Sequence, residues 1–189
     1  MIRVLVVLAL ALVLAPLPAA ALMLQLADGD RREALRLGER SITNDTFDGE
    51  WRVVGGTGES LVVMSPFHRL VLASRNAAFK NDALKPGDID RVVKQDANRL
   101  VMWVNLKGGS EEFARYYAPR LLAGSREIKA VFVQNERTAI RQEDGRFLAR
   151  CIYGFPIQNL TGRDRLALVV ADADGRDVTR FTIDLAGMR

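Results

Sequence analysis

Residues 164–185 read DRLALVVADADGRDVTRFTIDL. The apolar run Leu166–Ala171 leads into Asp-Ala-Asp-Gly-Arg-Asp. A second run follows, in which Phe181, Ile183 and Leu185 alternate with polar residues. Apolar residues at every second position mark a strand with one face on a core. A short loop with glycine between two such runs is what a β-hairpin needs. Glycine takes the positive φ angle, and aspartates accept hydrogen bonds from nearby backbone N–H groups. Asp172, Asp174 and Asp177 also pose the question of a calcium loop. An EF-hand loop spreads its ligands over about twelve residues and closes on a glutamate. Here the pattern stops at Asp177, no glutamate follows it, and Arg176 stands among the carboxylates. The stretch reads as a turn, and no metal or cofactor is assigned to the chain.

The same texture extends upstream. REIKAVFVQNE (126–136) and GRFLARCIYGFP (145–156) are strand-like, with EDGR (143–146) as a hairpin connection and NLTGRD (159–164) as a longer loop. Ile128, Ala130, Phe132 and Gln134 share one face of the first. Nearer the N-terminus, LRLGERSI (35–42), EWRVVGG (50–56) and SLVVM (60–64) read as short strands. GGTG (55–58) is a turn, lacking the spacing and lysine of a phosphate loop. The fold class that follows is mainly β: an immunoglobulin-like antiparallel sandwich of about seven strands.

A helical insertion interrupts it at about residues 65–97. Ser65-Pro66 is a helix start, with serine as N-cap and proline at the first helical position. Phe67, Leu70, Val71 and Ala78 then fall near one face. A second short helix begins at Pro86 or Asp88, with Leu84, Ile89, Val92 and Val93 inward. RLVMWVNLKGG (99–109) follows as a buried strand carrying Trp103. SEEFARYYAPRLL (110–122) has a serine and two acids suited to a helix N-terminus, and Pro119 to end or kink that helix.

The first residues indicate where the chain goes. Arg3 precedes an apolar run from Val4 to Leu14, Pro16 and Pro18 break any helix, and Ala19-Ala20-Ala21 supplies small residues in an A-x-A arrangement. That is the layout of a secretory signal peptide over residues 1–21, with cleavage after Ala21. It leaves residues 22–189 as one domain in the periplasm or outside the cell. Membrane contact is expected only if the leader stays attached.

Charge and rare residues narrow the chemistry. The chain has 27 basic and 23 acidic residues, interspersed without a basic block, so nucleic acid is not an expected partner. Cys151 is the single cysteine and sits in an apolar run, as a buried small hydrophobe. His68 is the single histidine, placed in the first turn of a helix, facing solvent or capping. A zinc site draws on several such ligands, and no serine-hydrolase elbow occurs.

Phe113, Tyr116 and Tyr117 lie at helical spacing, rimmed by Arg115 and Arg120. That spacing usually means core packing. Its functional reading is an aromatic–arginine patch for a protein partner, and these five residues are the candidate binding site. The expectation is an exported, non-enzymatic binding module of the bacterial envelope that engages an envelope protein. Two alternatives stand beside it. One is a small periplasmic enzyme using acids or a His68–Cys151 pair. The other is a sugar or small-ligand module using Trp51, Trp103 or the tyrosines.

Overall fold

The hairpin that opens the sequence reading joins β9 (Arg165–Ala171) to β10 (Asp177–Asp184) in a computed structural model that describes residues 21–189. The leader reading falls outside the described residues except at Ala21. Gly175 has φ +80°, and Asp172 Oδ1 accepts from the N–H groups of Asp174 and Arg176, both at 2.9 Å. Arg176 pairs with Asp172 and Asp174, and Arg120 pairs with Asp177. The three carboxylates thus brace the turn.

Among the described residues, ten strands form two antiparallel sheets in an open, sandwich-like arrangement. The first sheet runs in the order β1 (Arg52–Val54), β2 (Ser60–Met64), β3 (Arg99–Gly108), β8 (Phe147–Pro156), β6 (Phe132–Gln134), with β7 (Ile140–Arg141) also on β8. The second runs β10, β9, β4 (Ala118–Ala123), β5 (Arg126–Lys129). More strands occur than the sequence suggests because REIKAVFVQNE breaks at Ala130 and feeds both sheets, as β5 and then β6. Period-two alternation builds the core. Leu100, Met102, Val104 and Leu106 of β3 stand opposite Phe155, Tyr153, Cys151 and Ala149 of β8. All eight are buried, in one cluster with Leu121, Leu168, Phe181 and Ile183 of the second sheet.

Among the described residues, three α-helices accompany the sheets: α1 (Asp28–Arg40), α2 (Pro66–Phe79) and α3 (Pro86–Lys94). None of the described helices is long and apolar enough to cross a membrane. The start of α2 is as expected: Ser65 Oγ accepts from the His68 N–H at 3.0 Å, and Phe67, Leu70 and Val71 are buried. Helix α1 corrects the strand expected over LRLGERSI. Asp28 and Asp30 occupy its first turn, and Asp30 accepts from the Ala27 N–H. Its contact face is made of small residues, Ala34 and Gly38, against α2. A Cβ on Gly38 would lie 2.5 Å from Ser74 Cβ and from the Val71 carbonyl oxygen. Large apolar residues at alternating positions, Leu35 and Leu37, mimic a strand there.

SEEFARYYAPRLL is the second correction, because it holds a turn followed by β4 and not a helix. Proline biases the residue before it to extended backbone, and Pro119 begins no helix end but sits inside β4. It pairs with Val170 of β9 where β5 has not yet started, so no ladder donor is missed on that side. Sheet pairing of APRLLA on both edges overrides the helical spacing of the aromatic residues.

Candidate functional site

Trp103 stands on β3, the strand expected over these residues. Its neighbours Met102 and Val104 point into the core, so alternation along β3 turns Trp103 to the outer face, where it is 50% exposed. Val62 of β2 and Ile152 of β8 stand directly opposite it. Helices α2 and α3 lie beside this face, leaving an open groove of about 440 Å³. Met64, Leu72, Val92, Val101 and Phe132 supply its other apolar surface.

One end of the groove is ionic. Arg69 of α2 holds Asp96 at 2.8 Å, with side chains only 10% and 12% exposed. Asp96 also pairs with Arg99 at the start of β3. Burial pulls the Arg69 guanidinium below its ordinary range, and the Asp96 carboxylate opposes that. Asp96 has φ +57°, a conformation that L-residues rarely adopt. Arg99 lies over the Phe132 ring, 5.1 Å from its centroid. Gly154 makes room for that stacking, because a Cβ there would come within 3.2 Å of both Arg99 Cδ and Phe132 Cβ. Two guanidinium groups share one carboxylate, so the ionic end keeps an excess positive charge beside a half-exposed indole.

The aromatic–arginine patch is divided. Phe113 and Tyr117 pack edge to face at 5.7 Å and are both half-buried. Tyr116 is 68% exposed with Arg115 over its ring at 5.4 Å, and Arg115 also pairs with Glu112. Arg120 is on β4 and engages Asp177. Arg115 and Tyr116 line a second groove of about 470 Å³ with Val133 and Arg137. The single helical face on which the five residues were grouped does not form.

His68 is in the first turn of α2 as expected, but buried and not solvent-facing. Its ring stacks on Trp51 at 4.2 Å and 5°, and Nδ1 lies 3.1 Å from the Val63 carbonyl oxygen. A carbonyl can only accept, so Nδ1 carries the proton and buried Nε2 has no partner among the described residues. Burial lowers its pKa from 6.5 to about 4. Cys151 is buried in β8, which raises its thiol pKa, and no hydrogen bond joins it to His68. Trp51 is fully buried, with Nε1 donating to the Arg189 carbonyl, and so offers no ligand surface.

Sequence reasoning named Trp103 but missed Arg69, Asp96 and Arg99. The one local signal is the D-x-x-R spacing of Asp96 and Arg99; Arg69 reaches them only through packing of α2. No family model matches the chain, and no curated protein matches its sequence. Among solved structures, the chain is similar to a protein of unknown function from Burkholderia pseudomallei, at 9% identity and a TM-score of 0.43. The match covers 86% of this chain and 92% of that one. A likeness that loose carries neither fold nor function across.

Proposed function

We propose that the protein is an exported, non-enzymatic binding module of the bacterial envelope, and that it engages an envelope component through the groove at Trp103. The observation that carries this reading is a half-exposed tryptophan on a sheet face next to the Arg69–Asp96–Arg99 network, in which the Arg69 and Asp96 side chains are largely covered and Arg99 is partly exposed. Large apolar side chains normally gain about 1.5–3 kcal/mol from burial, so an indole held open beside a shaped cleft suits a partner that covers it. The ligand chemistry that fits is a flat or apolar group for Trp103 and Ile152 with an anionic group for Arg99. Open grooves of this size accept a side chain or one or two rings.

Trp103 also reports on the site, because Trp51 is sealed in the core. Titrating the protein with solubilised envelope extract should shift or quench tryptophan emission. Trp103→Phe should remove that response and Arg99→Ala should weaken it. An unchanged response in Trp103→Phe would count against the groove. The exposed Tyr116–Arg115 pair beside Val133 and Arg137 supports a second reading, a protein partner at the other groove. Arg115→Ala with Tyr116→Ala would then be the change that abolishes binding.

A further inference from the structure

The Leu22 main-chain nitrogen lies 2.9 Å from the Gly162 carbonyl oxygen and 3.1 Å from the Leu185 carbonyl oxygen. Two acceptors from different parts of the chain converge on one nitrogen. An amide there has a single hydrogen and must divide it between them, whereas an ammonium has three donors and gives each carbonyl its own. The Leu22 side chain is 3% exposed and belongs to the core cluster, while Ala21 is only partly buried. Gly162 is shaped to this contact, since a Cβ on it would collide with the Leu22 carbonyl oxygen. Leu185 is fixed in turn: its N–H donates to the Asp164 carbonyl at 3.1 Å, and it is fully buried.

We infer that the chain is cut between Ala21 and Leu22, and that the α-ammonium this frees is a docking group held by the Gly162 and Leu185 carbonyls. Water is the co-reactant and a host leader endopeptidase the catalyst. Hydrolysis breaks the Ala21–Leu22 peptide bond, Ala21 leaves as a carboxylate and Leu22 as the ammonium. The cut precedes folding, because in the folded chain Leu22 is sealed in the core. Backbone carbonyls capture amino termini in other settings by the same chemistry. Maturation on this account completes the fold: the new terminus ties the 157–164 loop to the end of β10.

The inference rests on export but not on the Trp103 groove. The test expresses the full chain with its own leader in a bacterial host and determines the N-terminus of the purified protein. A start at Leu22 is expected. A start at Met1 would overturn both export with cleavage and the docking. A start at another residue near Ala21 would leave export standing and overturn the docking. The second measurement is amine acylation at near-neutral pH, read by peptide mass. The Leu22 amine of the folded protein should react at least about tenfold more slowly than after denaturation. Equal rates would overturn the docking even if the cut is at Leu22. Gly162→Ala should restore reactivity in protein that remains folded by circular dichroism, and Gly49→Ala, whose Cβ meets nothing within 4 Å, should not.

Discussion

At the scale of single residues, His68 shows how a polar side chain is kept in a core at a cost. Stacking on Trp51 and the Nδ1–H bond to Val63 hold the ring, but Nε2 has nowhere to donate if it gains a proton. Folded His68 therefore protonates only near pH 4, while the unfolded chain protonates near 6.5. The unfolded state binds the extra proton between those values, so stability is full above pH 6.5 and falls as pH drops toward 4. The loss is about 3 kcal/mol by linkage. Thermal melts from pH 7 to 4 should show that decline. His68→Phe should flatten the part due to this residue, and an unaltered profile in that variant would assign the decline elsewhere. The sequence placed His68 correctly in the first turn of α2. Its burial depends on Trp51 and Val63, which come from other elements and leave no local signal.

At the scale of elements, legibility follows the size of the packing residues. Of the strands, β10 was readable because Phe181 and Ile183 alternate with polar residues, and β2, β3, β8 and β9 because they are apolar runs bounded by turn residues. The cap at Ser65 made α2 readable too. Helix α1 was not, because it packs through Ala34 and Gly38 and small residues leave no hydrophobic period. Residues 110–123 misled for the opposite reason: their aromatic spacing is helical, but pairing of β4 with β5 and β9 decides the outcome. Gly38→Ala forces Ser74 and the α2 backbone away and should lower stability by about 2 kcal/mol, as overpacking does. Gly29→Ala in the same helix, with nothing within 4 Å of the added Cβ, should be neutral or stabilising by about 0.5–1 kcal/mol. Chemical denaturation of the two variants measures both, and equal effects would contradict the close packing of α1 on α2.

At the scale of the whole molecule, two sheets close over a core and leave one outer face to be shared by α2, α3 and Trp103. The mainly β class was legible from short apolar runs separated by turn residues, with alternation in some of them. The groove was not, since it needs α2 to bring Arg69 to Asp96 and β3 to turn Trp103 outward, and neither is written in a short motif. Binding at that groove can be read by photocrosslinking in cells, with a benzophenone side chain placed at position 103, at 116, or at the exposed position 54 on β1. An adduct of one discrete mass is expected from position 103, lost when Arg69 and Arg99 are both replaced by alanine, and none from position 54. An adduct from position 116 with none from 103 would contradict it and move the binding surface to the Arg115–Tyr116 groove.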